Sequence, residues 1–312
     1  MQSSAPFARI GTRGSPLALA QAKLVRELIA TAHGVAEEEI EIEVFSTGGD
    51  RSQASNVSLS TMGGKGVFTK EIDEALLSGR IDIGVHSSKD VATGLPEGML
   101  LAAFLEREDV RDAFMSVSVK EIDSLPERAR FGTSSIRRAA QAKRLRPDLE
   151  IVPFRGNVHT RLQKLIDGVA DATLLAMAGL NRLEEAHRVT AVLSPEDFMP
   201  APAQGAIGLA IRTGDARFAD VVAPLDHAAT HSAIAAERAM LAVLDGSCRT
   251  PVGALSAASN GVFSLKGEIL SLDGQTTFRA EGSDSDPLRL GEQVGRELLA
   301  QAGPDWLSQW QG

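Results

Sequence analysis

The chain has 312 residues, 43% apolar and 23% charged, the composition of a folded protein with room for two or three domains. A formal charge of −9, aromatics at 4% and no tyrosine argue against a module that grips nucleic acid through a basic surface or stacking rings. No stretch approaches the roughly 20 apolar residues of a membrane span. One cysteine in the whole chain excludes an internal disulfide and a multi-cysteine metal site. The expectation is a cytoplasmic protein with neither nucleic-acid nor membrane partners.

The first third alternates between strand and helix. Pro16 to His33 reads as a helix, because Leu17, Ala20, Leu24 and Leu28 recur at helical spacing, Ser15 can cap it, Pro16 suits the first turn and Gly34 stops it. IEIEVF (40–45) alternates like a half-exposed strand. A glycine-rich stretch follows, then a helix from Val67 to Ser78 and a short strand from Ile81 to Val85 that leads into HSSKD. The glycine-rich segment 60–73 does not match GxxxxGK[ST], since Gly66 follows Lys65. It reads as a mobile lid, not a nucleotide loop.

A second α/β run begins at RFGTSS, which passes from a strand into the helix IRRAAQAKRLR, halted before Pro147. Next come a strand (150–154), a helix (157–168), a strand (172–176) and a helix from Met177 to Ala186. The proline-rich segment 194–205 reads as a linker or crossing point, and 206–212 as a further strand. Ala228 to Leu244 is a helix. The tail, with three strand-like segments and a helix near 287–301, forms a small α+β unit. The pattern is two α/β domains and a smaller mixed one.

Several residues of marked chemistry fall at strand-to-helix junctions, where open α/β sheets bind their ligands. Arg13, Arg137, Arg138, Arg155, Arg161 and Arg182 sit near helix starts, beside Ser15, Thr133, Ser134, Ser135 and Gly156. Free N–H groups, a positive dipole end and guanidinium forks together suit carboxylates or phosphates. Taken one at a time, each arginine is explained as well by a surface ion pair. Arg144 and Arg146 are read as solvated surface charges on the far side of their helix. In VHSSKD (85–90), Lys89 and Asp90 set an ammonium and a carboxylate side by side, and His86 is read as a buried, hydrogen-bonded histidine. Cys248 lies in a Gly/Ser/Pro loop next to Arg249, which favours thiolate and makes the thiol a candidate nucleophile or attachment point, against the plainer reading of a small buried hydrophobe. The six histidines form no ligand cluster, so no metal is expected.

In order, the stretches IGTRGSPLALAQA, GGKGVFTKEIDEALL, DIGVHSSKDV, LEREDVRDAF, GTSSIRRAAQ, RPDLEIVPFRGNVHTRL, LLAMAGLNRL, PAPAQGAIG and ERAMLAVLDGSCRTPVG resemble the porphobilinogen deaminase family. They run from residue 10 to about 255; each is short, but their joint order is specific. The resemblance implies two α/β domains like those of type II periplasmic binding proteins and a smaller C-terminal α+β domain. The boundaries it implies are 1–105 with 200–223, 106–199, and 224–312.

The resemblance also implies a transferase of tetrapyrrole biosynthesis that condenses four porphobilinogens on a dipyrromethane primer, releasing ammonia and hydroxymethylbilane. Cys248 would hold the primer covalently. Asp90 would stabilise the cation left when ammonia departs and assist loss of the α-proton. Lys89, Asp90, Thr133, Ser135, Arg137, Arg138 and Arg161 match positions that hold the cofactor. Arg13, Ser15, Gln21, Arg155, Arg161, Arg182 and Gln204 match positions for the incoming porphobilinogen and growing chain. Gly63, Gly64, Lys65, Gly66 and Phe68 match an active-site loop. A monomer is implied. Ser88, Ala92, Thr61 and Ser247 depart from the usual family residues without removing a proposed catalytic group. The rival reading is a non-catalytic two-lobed protein that binds carboxylate anions, for which neither Cys248 nor Asp90 would be needed.

Overall fold

The computed structural model describes residues 5–48, 69–244, 250–303 and 306. Local signals set its first elements. Strand β1 (Ala8–Arg13) runs into helix α1 (Pro16–His33), where the Ser15 hydroxyl accepts the Ala18 N–H and Gly34 closes the last turn in the left-handed region (φ 64°). Strand β2 (Ile40–Phe45) returns parallel to β1, completing a β-α-β unit. Helix α2 spans Lys70–Leu77, and residues 67 and 68 of the expected helix lie outside the described residues. Strand β3 is Ile83–Ser87, followed by a single 3-10 turn at Ser88–Asp90.

The chain divides into two compact units, Met1–Arg107 with Ala206–His231, and Glu108–Gly205 with Ser232–Gly312. In the first unit, β4 (Met99–Phe104) and β10 (Ile207–Arg212) complete a five-stranded sheet of order β2-β1-β3-β10-β4, with β10 antiparallel to both neighbours. Helices cover both faces. Val25 and Ile29 of α1, with Phe218 and Val222 of helix α6 (Ala216–Val222), pack on Ile10, Ile83 and Leu209. Ile72 and Leu76 of α2 pack on Phe45, Ile81 and Met99. Each such fully buried aliphatic side chain is worth roughly 1.5–3 kcal/mol.

The second unit repeats this order. Strands β5 (Asp112–Ser116), β6 (Arg130–Gly132), β7 (Glu150–Val152), β8 (Ala172–Ala176) and β9 (Ala191–Val192) are arranged β7-β6-β8-β5-β9. Here too the first strand of the local β-α-β run lies between the second and third, and the strand next to the third is antiparallel to it. Both sheets therefore have the type II periplasmic-binding-protein arrangement. Helix α3 (Ile136–Leu145) packs with Phe114, Phe131 and Phe198 on one face. Helices α4 (Val158–Ile166) and α5 (Met177–Arg182) pack with Phe154 and Leu175 on the other.

Beyond helix α7 (Ala228–Val243), β11 (Val252–Ser259), β12 (Val262–Leu270) and β13 (Thr277–Asp284) form an antiparallel sheet with helix α8 (Pro287–Ala302). Asn260 and Gly261, both with positive φ, make the tight turn between β11 and β12. Leu265 and Ile269 meet Met240, Val294 and Leu298 in the core of this part.

Some boundaries differ from the sequence reading. Strand β7 stops at Val152 because Pro153 has no N–H to give a ladder. Helix α5 stops at Arg182, and Glu184, at φ 59°, turns the chain out of helical geometry. Strands β4 and β5 and helix α6 were not expected. Among the described residues, no helix is long and apolar enough to cross a membrane.

Candidate functional site

In the first unit, the ends of β1 and β3 and the start of α1 enclose a small cavity lined by Arg13, Ser15, Leu17, Gln21, Thr69, His86, Ser87 and Asp90, among others. Each polar residue has a local reason to be there. Thr12, fully buried, donates to the Ala18 carbonyl at 3.2 Å and fixes the β1–α1 corner that delivers Arg13. Ser15 caps α1 by accepting the Ala18 N–H and keeps its own hydroxyl proton. Gln21 projects from the second turn and is hydrogen-bonded to the Ser87 hydroxyl at 2.9 Å, which ties α1 to the end of β3. The 3-10 turn that follows β3 carries Lys89 and Asp90. The Asp90 carboxylate lines the cavity and has no hydrogen-bond or ion-pair partner among the described residues.

His86, in the wall of this cavity, is buried as expected, and no hydrogen-bond partner of its ring was found among the described residues. Burial, reinforced by the Arg13 guanidinium, pushes its imidazole down to about 4, so it is neutral near pH 7. Thr69 donates to Asp73 at 2.7 Å. Burial pushes the Asp73 carboxyl up to about 6 despite that hydrogen bond. Neither Thr69 nor Asp73 was singled out by sequence reasoning; no motif marks them.

The second unit gathers the arginines. After β6, three hydroxyls organise the turn into α3: Thr133 Oγ1 accepts the Ser135 N–H at 3.1 Å, Ser134 Oγ accepts the Phe154 N–H at 3.1 Å, and Ser135 Oγ accepts the Arg138 N–H at 3.4 Å. Each of these hydroxyls accepts, so its own proton is available to a ligand. Arg137 and Arg138 are buried, and both reach one fully buried carboxylate, Asp112 at the start of β5. Arg138 grips it with Nε at 3.0 Å and Nη2 at 2.7 Å, while Arg137 Nη2 lies at 2.9 Å. Gln204, from the crossing segment, donates to the same carboxylate at 2.8 Å and to the Val110 carbonyl at 2.7 Å.

Sequence reasoning missed Asp112, a lone acid at the start of a strand that was not expected. Its role follows only from contacts 25 to 92 residues away along the chain.

Two guanidiniums on one carboxylate leave a positive charge unmatched among the described residues, where Arg137 Nε is also buried without a partner. A buried cation pair in this state calls for a further anion. The donor set, two cations with three hydroxyl protons at a helix start, fits a ligand bearing several carboxylates.

Arg155 and Arg161 are half-buried at the β7–α4 junction, with Asn157 capping α4. Arg182, at the end of α5, donates to the Gly205 carbonyl at 2.6 Å, and burial lowers its guanidinium from the ordinary value. The glycine-rich loop Gly63–Phe68 and Cys248 lie outside the described residues.

Arg144 and Arg146 are not solvated surface charges. Arg144 pairs with the fully buried Glu268 at 2.6 Å. Arg146 pairs with Asp148 at 2.8 Å and donates to the carbonyls of Ile122 and Leu125. The C-terminal sheet and the turn at 122–126 cover sides of α3 that its own periodicity assigns to water.

A family model described as "Porphobilinogen deaminase, dipyromethane cofactor binding domain" matches residues 8–220, and one described as the porphobilinogen deaminase C-terminal domain matches 232–300. The porphobilinogen deaminase of Nitrobacter hamburgensis is 49% identical over 317 residues, covering 100% of both chains. Among solved structures, a putative methionine-binding lipoprotein of Bacillus subtilis is 13% identical, with a TM-score of 0.43, over 70% of this chain and 89% of its own. A periplasmic substrate-binding protein of an ABC transporter from Coxiella burnetii is 14% identical, with a TM-score of 0.45, over 74% and 96%.

Proposed function

The chain belongs to the porphobilinogen deaminase family, and we propose that Asp90 is its catalytic carboxylate, with Arg13, Gln21 and the arginines of the second unit serving to bind its polyanionic ligands. It is a transferase that condenses four porphobilinogens stepwise, with loss of ammonia, on a covalently bound dipyrromethane. The cofactor is attached through Cys248, the single thiol of the sequence. When bound, the dipyrromethane supplies the nucleophilic α-carbon at which the polypyrrole grows.

The observation that carries the assignment is an Asp90 carboxylate with no partner among the described residues, in the same cavity as Arg13, Gln21 and Ser87. Porphobilinogen carries an acetate and a propionate, and Arg13 offers a guanidinium to one of them. Asp90 accepts a hydrogen bond from the pyrrole N–H and offsets the positive charge that develops as the aminomethyl C–N bond breaks. Asp90 would then favour departure of the proton from the α-carbon at which the chain has grown. His86, neutral and buried, adds no competing positive charge beside it.

In the second unit, Thr133, Ser135, Arg137, Arg138 and Arg161 serve to hold the cofactor's carboxylates; Lys89, of the first unit, is assigned to the same group on the family resemblance. Arg155, Arg161 and Arg182 receive those of the growing chain. Gln204 acts through Asp112, because its carboxamide holds the carboxylate that both buried guanidiniums share. The loop Gly63–Phe68 as a cover for the site, the three-domain division, a monomeric state and a cytoplasmic location belong to the same reading, on the family resemblance.

Intact mass tests the anchor. The wild-type chain should exceed its sequence mass by one dipyrromethane, and the Cys248→Ser variant should not. A bare wild-type mass that stays bare on incubation with porphobilinogen would favour a simple anion-binding protein.

A further inference from the structure

The second unit contains a buried carboxylate that the reaction does not use. Glu268, on β12, is fully buried on the face of the C-terminal sheet opposite Leu265 and Ile269, whose side meets α7 and α8. Its two oxygens have separate duties. Oε2 takes the guanidiniums of Arg144 at 2.6 Å and of Arg279, its cross-strand neighbour, at 2.6 Å. Oε1 accepts from Gln141 Nε2 at 3.1 Å.

Gln141 is one helical turn beyond Arg137 on α3, and the same carboxamide is used at its other end. Its Nε2 also donates to the Met199 carbonyl at 2.9 Å, and its Oε1 accepts from Arg137 Nη1 at 2.9 Å. Arg137 Nη1 itself donates to that Met199 carbonyl at 2.6 Å. The amide therefore has one productive orientation. Were it to flip, its NH2 group would face the guanidinium, donor against donor. Two acceptors, Glu268 and the Met199 carbonyl, prevent the flip.

The contact is tight as well as polar. Gly274 (φ 72°), in the turn from β12 to β13, lies so close to α3 that a Cβ there would collide with the Ala140 carbonyl oxygen.

We propose that Glu268 is a positioning residue for Arg137: the C-terminal sheet sets the Gln141 carboxamide, which holds the guanidinium in the orientation that receives a cofactor carboxylate. The inference rests on the assignment of Arg137 to those carboxylates. A helix of this length fixes the backbone of Arg137 but not the direction of a long, rotatable side chain. Asp112 restrains one terminal nitrogen, and Gln141 with the Met199 carbonyl restrains the other.

The test compares three variants by intact mass, thermal melting and steady-state kinetics. In Glu268→Gln the single side-chain oxygen serves the arginines, and the amide NH2 then faces Gln141 and drives its carboxamide to flip. Loading with the dipyrromethane should fall, with KM for porphobilinogen in the loaded fraction rising about tenfold, the size of coupling common within one hydrogen-bond network. Arg279→Met removes a partner of the same carboxylate that does not touch Gln141. It should lower the melting temperature yet load normally.

Arg137→Met separates the inference from its premise. If this variant loads like the wild type, the assignment of Arg137 to the cofactor is wrong and the inference falls with it. If Arg137→Met fails to load while Glu268→Gln loads and binds normally, the premise stands and the positioning role is wrong. Loss of loading in Glu268→Gln and Arg279→Met in proportion to their loss of melting temperature would also overturn it, since stability alone would then be at work.

Discussion

The two α/β units share one sheet order and treat charge in opposite ways. In the first, the cavity at the strand ends is lined by Asp90, a carboxylate without a partner among the described residues, and by His86, a histidine kept neutral by burial, with Asp73, an acid that burial raises to about 6, one helical turn beyond Thr69 in its wall. In the second, the equivalent strand-to-helix turn leads to two guanidiniums locked on Asp112 and steadied by Gln204. The first arrangement suits proton and cation chemistry, because the Asp90 carboxylate can take up and release a ligand's N–H without first breaking a contact among the described residues. The second suits binding, because its charges are fixed before the ligand arrives. On the proposed assignment, one topology serves both halves of a condensation on a bound primer, with the difference lying in a few side chains.

The comparison is broken most severely at Asp90. In Asp90→Asn the shape of the turn survives but the charge is lost, so turnover should fall by about 10²–10⁴-fold while the chain melts normally and keeps its dipyrromethane mass. Near-normal product formation would remove Asp90 from the chemistry. Asp112→Asn attacks the other unit. It leaves two buried guanidiniums without their shared anion, and breaking such a buried cluster costs about 3–5 kcal/mol. Urea denaturation should show the loss directly, and the effect should be on stability and loading before it is on turnover.

The smallest effect sharpens the contrast through pH. Asp73, raised from 3.8 to about 6, stabilises the fold when protonated, a contribution complete below pH 3.8 and lost as pH rises through about 6. His86, lowered from 6.5 to about 4, acts the other way: its contribution is complete above pH 6.5 and lost as pH falls through about 4. Between pH 4 and 6 the two oppose each other in one small unit. Relative to the wild type, Asp73→Asn should gain stability as pH rises across that window, and His86→Gln should lose it. Urea midpoints measured at pH 4, 5 and 6 give the slopes; parallel curves for all three proteins would show that neither group titrates as its burial demands.

Much of the scaffold was legible because its causes are local. Ser15, Pro16 and Gly34 bound α1 at the residues expected, and IEIEVF forms β2 without adjustment. The same holds for the junctions that present Arg13, Asp90, Thr133 and Ser135, since caps, turns and helix starts are written in neighbouring residues. Sequence motifs also assign the family and its single thiol. Only the tertiary structure decided which charges are paired. Asp112 and Glu268 look like ordinary acids on strands, and Arg144 and Arg146 like the polar side of a helix. Their burial is created by segments about 20 to 130 residues away, whose approach no local pattern records. A buried charge is stable only where distant partners meet it, so those pairings become visible only when the sheets and helices have packed.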